Sequence, residues 1–411
     1  MAKNFSKEQT QEIRDIIRST LNNYQGHIRM NGGVLKAVNS NISQQQITLT
    51  PGANIQNALN TLNANGGGIL FLQSGFYPCT NNLVVGSNVT IQGEAPFNTI
   101  IDFQATGNGI VIQGSNPYTT GTVSITKSSI SLTGSGTAWT SAMNGQYVFL
   151  QGTWYQIQKV TSTTALTLVL EYSGTTLSGS GYAISMPTIG SQLLNFTVQN
   201  STGTGIAVNY SQYIEFNNLL VQGCGTGMST NYTSAILCNN SLFLGCNYGL
   251  YFYQSYGLNF TEFQVDTTYV GSGIVINYSS QSSFINFACN SCAADGINLT
   301  NATSMTFTDF EIDYNIGNGV HLNAGCALCT FDAGDLSFNG AIGVRITSAI
   351  NSWVTNCSIQ PNGTYGIQID NSTSQYIVLI GNIVYTQPSG YLNDSGTLTK
   401  CRGNVNITDK N

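Results

Sequence analysis

Charge is what this sequence has least of: Asp, Glu, Lys and Arg together make up 7% of its 411 residues, against about 25% in an ordinary soluble domain. That shortage argues against a helical enzyme, whose solvent faces are built from such residues. Only two histidines are present, too few to build a Ser-His-Asp site. No run approaches 18 apolar residues, so no membrane insertion is expected. The opening, "MAKNFSKEQTQEIRDIIRSTLNNYQ", lacks the continuous apolar core of a signal peptide, and export by the general pathway is not expected. Between residues 190 and 399 the only Lys or Arg is Arg345, set against eleven acids. Such a body repels nucleic acid and uronate polymers, and β-elimination would lack the cations and basic group it needs. A neutral or weakly charged glycan suits it better.

What is abundant is glycine (45), tyrosine (21) and a 41% apolar share, together with Ser, Thr and Asn. This is the composition of many short strands joined by tight turns, an all-β chain. Ten cysteines include Cys289-x-x-Cys292 and Cys326-x-x-Cys329, which have the spacing of zinc half-sites. The repeat described next places the two pairs at different points of a coil, so buried reduced thiols are the reading. Asn-x-Ser/Thr sequons such as Asn88, Asn195, Asn231 and Asn298 arise by chance in a chain this rich in those residues.

From residue 205 onward one signature returns: GIAV (Gly205), GMST (Gly227), GLYF (Gly249), GIVI (Gly273), GINL (Gly296), GVHL (Gly319), GVRI (Gly343) and GIQI (Gly366), with a looser echo at Gly390. Successive glycines are 22 to 24 residues apart. That period, with strand-like alternation inside each repeat, fits a right-handed single-stranded parallel β-helix of three short strands per coil. Coils rise about 4.8 Å each, so equivalent residues stack into columns. Each glycine is needed for positive φ or for close backbone approach. Cys224 with Cys246, and Asn209, Asn231, Asn277 and Asn323 with Tyr253 and Thr300 interposed, are expected to form such columns, the Asn bonding to one another.

Residues 46 to 103 begin with a short amphipathic helix, "NIQNALNTL", followed by "GGGILFLQSGFY" and "NLVVGSNVTIQG". Such a helix would plug the open end of a solenoid. This arrangement closely resembles the entrance of the pectate-lyase superfamily, which includes polysaccharide lyases, glycoside hydrolases and phage tailspikes. The likeness covers about residues 45 to 112 and 189 to 400. Residues 117–187 interrupt it with short alternating strands and Gly/Ser turns, expected to form a small β-barrel or sandwich similar to inserts in phage tail and spike proteins. Its Trp139, Tyr147, Trp154 and Tyr155 suit either sugar stacking or core packing. The expected organisation is a helical assembly arm (1–40), a cap helix and first coils (41–116), the insert (117–187) and the main β-helix (188–411). In the arm, Ile13, Ile16, Ile17 and Leu21 recur at helical spacing, an apolar stripe that needs a partner.

The stretch "TDFEIDYNIGNGVHL" from residue 308 gathers Asp309, Glu311 and Asp313. With Phe310 and Ile312 inward, all three acids face out, Asp335 lies in register with Glu311, and Glu262, Gln264 and Asp266 lie two coils away. Asn286 and Asn290 fill the rung between. Three readings stand. Paired carboxyls on adjacent coils suit glycoside hydrolysis, with Glu311 and Asp335 the first pair, Asp309 and Asp313 the second choices, and Glu311 the acid because neighbouring charge should raise its pKa. Carboxylates and amides also suit calcium, the only cofactor in view. A solvated face or subunit interface is the third. His321 and Arg345, in a column with Tyr251, Asn298 and Gln368, are candidates for a sugar groove beside Glu262, Asp266 and Trp154.

Phage tailspikes share this general plan, and the resemblance implies a virion-attached protein, trimeric, docking through its N-terminal helix and binding host-surface polysaccharide. The chain departs from that plan in ending just after its last coil. The alternatives are a non-catalytic virion decoration or filament subunit, and a free-standing polysaccharide hydrolase.

Overall fold

The computed structural model describes two short strands, His27–Asn31 and Val34–Val38, and residues 45 to 409. The chain divides at Gln45 into two compact units. In the first, the two strands pair antiparallel, His27 opposite Val38 and Asn31 opposite Val34. Strand rather than helix therefore occupies these residues of the expected arm; the amphipathic stretch around Ile13 to Leu21 lies outside the described residues.

The second unit is a solenoid whose strands pair parallel, each coil with the next, over about 16 turns. Its first coils are covered by the helix Ile55–Ala64, capped by the Asn54 side chain, which accepts the Asn57 amide at 3.0 Å. Ile55, Leu59 and Leu62 are buried in one cluster with Leu70, Val85 and Val89, so the helix closes apolar surface that the first coil would otherwise expose. That cluster runs on through Ile407.

Coils bend where single residues adopt the left-handed region. In Thr204–Gln222 and the residue after it these are Tyr210 (φ 49°), Tyr213 (57°), Asn218 (55°) and Gly223 (61°). The eight repeat glycines from Gly205 to Gly366 do not have positive φ, whereas the looser Gly390 does, at 140°. A Cβ on Gly249 would stand 2.3 Å from the carbonyl oxygen of Gly273, and one on Gly343 2.6 Å from that of Gly366. Of the two reasons a repeat glycine can have, close backbone approach is the one at work.

Strands from Ser115–Tyr118 to Ala183–Met186 leave the stack and build an eight-stranded sheet, all of its pairs antiparallel. Its core holds Trp139, Tyr155, Tyr172 and Tyr182, and the Trp139 indole N–H donates to the Tyr182 hydroxyl at 2.9 Å. The stack resumes without a gap: Gln192–Ser201 pairs with Thr99–Thr106 on one side and with Thr204–Gln222 on the other.

Columns behave partly as the period predicts. Asn209, Asn231, Tyr253, Asn277 and Thr300 are in register, but the amides do not bond to one another: Asn277 reaches the Tyr251 hydroxyl and Asn323 reaches Asn298. A bonded amide ladder that faces inward lies elsewhere. Asn315 donates to Asn339 Oδ1 at 2.9 Å, and Asn339 to Asn362 Oδ1 at 2.9 Å. These corners face away from water, where only neighbouring coils can satisfy an amide. The two Cys-x-x-Cys pairs are buried at different places in their coils, with Cys289 Sγ 4.0 Å from Cys292 Sγ.

Candidate functional site

The column that turns each coil toward its last strand runs Asn218, Asn240, Glu262, Asn286, Asp309, Ala333 and Asn356, all with φ between 47° and 55°. The next outward column runs Leu220, Leu242, Gln264, Ala288, Glu311, Asp335 and Ser358. Between these two columns lies an open groove of about 860 Å³. It crosses seven coils, a length of roughly 29 Å at the usual strand spacing. Phe263, Phe287 and Phe310 form its floor, the first two rings stacked at 4.9 Å. Gly334 continues that column, and a Cβ there would stand 2.1 Å from the Phe310 ring. At one end Pro96 and Phe97 complete the lining, and Phe97 is 74% exposed.

Glu311 and Asp335 stand in register on adjacent coils inside this groove, as the spacing predicted. Glu262 and Asp309 also line it, but from the bend rather than the strand face, because the chain turns between Asp309 and Glu311. Asp313 and Asp266 do not line it. They occupy the following outward column, Asp266, Asn290, Asp313 and Ser337, where Asp313 is only 8% exposed.

The electrostatics shift the expected roles. Burial, then the charges of Glu311, Asp335 and Asp266, push the Asp313 carboxyl up to about 6. Burial also raises Asp335, with the hydroxyls of Ser358 and Ser337 pulling partly back. Asp335 is thus a groove carboxyl whose surroundings favour holding a proton.

Tyr251, His321 and Arg345 share the column that sequence spacing gave them, but it belongs to the first strand of each coil and does not line the groove. Both bases are engaged by acids. His321 Nδ1 lies 3.4 Å from Asp295 and Nε2 2.9 Å from the Thr347 hydroxyl; Arg345 Nε donates to Asp370 at 2.9 Å. Burial pushes Asp295 up, but bonds from His321, Asn318 and Asn298 outweigh it and hold the carboxyl below its ordinary value. This is a self-satisfied network, and the groove role expected for these three residues is withdrawn. Trp154 is withdrawn too: it is 8% exposed and packs against Phe149 at 4.9 Å, in a cluster with Tyr210, Tyr232 and Tyr256 of the solenoid.

Among the described residues no group of three or more His, Cys, Asp and Glu is placed to hold a metal ion. Asn286 and Asn290, the amides considered for calcium, sit on different columns, one at the bend and one beside Asp313. Sequence reasoning missed the phenylalanine floor and Phe97. For the floor a signal existed, since Phe263, Phe287 and Phe310 each precede an outward position by one residue.

A family model described as "Rhamnogalacturonase A/epimerase, pectate lyase-like" matches residues 51–251, and one described as "Right handed beta helix region" matches residues 272–411. Among solved structures, the catalytic unit of a GH87 α-1,3-glucanase from Streptomyces thermodiastaticus is similar at 10% identity, TM-score 0.54, over 88% of this chain and 67% of that one. The A-module of a mannuronan C-5 epimerase from Azotobacter vinelandii is similar at 14% identity, TM-score 0.51, over 87% and 95%. A tailspike of the Acinetobacter baumannii bacteriophage AP22, in complex with capsular saccharide, gives 10% identity, TM-score 0.43, over 97% and 72%. No curated protein matches the sequence. Taken with the parallel stack and its capping helix, the two family matches show that the chain is a right-handed parallel β-helix.

Proposed function

We propose that the protein binds a neutral surface polysaccharide along the groove and hydrolyses it with Glu311 and Asp335, as a spike- or fibre-like component of a virion. The fold does not choose this chemistry, because an epimerase and a glucanase are built on the same architecture. Support for it comes from the groove, where two carboxyls stand in register on adjacent coils of an open cleft, one with a raised pKa. Asp335 donates its proton to the glycosidic oxygen as the bond to the anomeric carbon breaks. Glu311 takes a proton from the attacking water, or attacks that carbon itself, according to the separation at which the two coils hold the carboxyls. The negative body disfavours uronate polymers.

Glu311→Gln and Asp335→Asn are each expected to lower oligosaccharide release from host-surface polysaccharide by about 10²- to 10⁴-fold, without a lowered melting temperature. Release at the parent rate from either variant removes that residue from the mechanism. Binding without release by the parent protein would leave a non-catalytic binder. For the assembly, light scattering is expected to give three times 43.9 kDa for the full chain and a smaller species once residues 1–25 are removed. A full-length monomer would sink the trimer.

A further inference from the structure

The corner beyond the acids carries a feature that the groove does not use. Its left-handed column runs Gly223, Gly245, Thr267, Ser291, Tyr314 and Phe338, so it turns aromatic only on the two coils that carry Glu311 and Asp335. Tyr314 is 59% and Phe338 52% exposed. Their rings stack at 5.2 Å with planes 16° apart. Phe338 covers one face of Tyr314, and on the other side the preceding corner is Ser291, too small to cover a ring.

Side chains that packing does not use, in a backbone conformation that disfavours bulk, are a functional signal when polar groups beside them lack partners. Here they do. The Asp313 residue, 8% exposed, has an Oδ1 that is buried without a hydrogen-bond partner, and so do Asn290 Oδ1 one coil before it and Asp335 Oδ1 one coil after it. Every orphan is an acceptor, so the missing ligand must bring donors. Immediately behind the aromatic pair, Asn315 and Asn339 belong to the buried amide ladder, which holds the corner rigid before any ligand arrives.

We propose that Tyr314 and Phe338, with Asn290 and Asp313, form a sugar-binding subsite outside the groove, which takes one pyranose ring of a neutral polysaccharide. The ring's C–H face lies on Tyr314 above Ser291, and its hydroxyls donate to the unpartnered oxygens of Asn290 and Asp313. The carboxylates of Asp266, Glu311 and Asp313 disfavour an acidic sugar at this position. The subsite rests on the groove reading: it holds the chain on one side of Glu311 and Asp335 while the groove holds the other.

The test is binding of the full-length protein, its Tyr314→Ala/Phe338→Ala and Tyr314→Phe variants and a Phe97→Ala groove variant to an array of defined neutral and uronate-containing bacterial surface oligosaccharides. Melting curves serve as the control for folding. The expected result is that the parent binds a neutral oligosaccharide, the double variant binds it about tenfold or more weakly, and Tyr314→Phe retains binding. If the double variant binds as the parent does while Phe97→Ala is weakened, the subsite is overturned and the groove stands. Binding of only uronate-containing sugars also overturns it, and no binding by the parent overturns both.

Discussion

Asp313→Asn is expected to raise the melting temperature at pH 7 to 8 and to leave it unchanged below about pH 4. In the folded protein this carboxyl is lifted from 3.8 to about 6, first by burial and then by Glu311, Asp335 and Asp266. A carboxyl whose folded value lies above its unfolded one binds its proton more tightly when folded. Stability is therefore full below the unfolded value and is lost as pH rises through the folded one, between about pH 4 and pH 6. A shift of about two units corresponds to up to about 3 kcal/mol at neutral pH, or roughly 3 °C for a chain of this size. Asparagine carries no charge to bury. Thermal melts of both proteins at pH 4, 6 and 8 decide the matter. Parallel curves, with the same separation at all three values, would mean that Asp313 is not the group whose burial costs stability. If the subsite is real, the stabilised variant should also bind neutral oligosaccharide less well, the usual relation between a costly buried group and its function.

The repeat was legible because each coil is closed by a glycine whose Cβ would strike the coil above, and that constraint recurs wherever coils stack. The capping helix was legible from its apolar spacing. The pairing of Glu311 with Asp335 followed from counting, since both lie eight residues before their coil's glycine. What counting could not supply was the bend. Simple alternation sets Asp309, Glu311 and Asp313 on one face, but the left-handed residue at 309 turns the chain, so Asp309 enters the groove from its edge and Asp313 passes beyond it. Turn length concealed a second relation. Cys224, Cys246, Thr268 and Cys292 form one inward column, continued by Asn315, Asn339 and Asn362. Measured from the glycine these lie three, three, five, four, four, four and four residues away, so Cys224 and Cys246 read as unrelated to the amides, and Cys292 alone shares their spacing. Trp154 shows a different limit: alternation says which way a side chain points but not that Tyr232 and Tyr256 stand there to cover it.

Asn339→Leu should produce the largest loss of stability of any change considered, although it swaps one medium-sized side chain for another. The Asn339 residue is 1% exposed and makes its bonds in both directions along the stack. Its Oδ1 accepts the backbone N–H of Asn315 at 3.2 Å and the Asn315 amide at 2.9 Å, while its Nδ2 donates to the Ile312 carbonyl at 3.0 Å and to Asn362 at 2.9 Å. Leucine fills the space but leaves two donors of Asn315 buried without the oxygen they met, and takes one donor away from the Ile312 carbonyl. At about 1–3 kcal/mol for each buried group left unsatisfied, the expected loss is about 4 kcal/mol or more. Asn286→Leu, a change at a bend facing water, should cost far less, so the comparison separates the ladder from a general intolerance of leucine at corners. Thermal melting measures the difference, and hydrogen exchange should place the opening at residues 312–316 and 338–340. A loss no greater than that of Asn286→Leu would mean that the ladder is not what holds these coils together. The same corner carries Phe338 on its outer side, so a ladder variant that still folds should lose saccharide binding along with rigidity: an aromatic pair recognises a sugar only where the backbone beneath it has already been fixed.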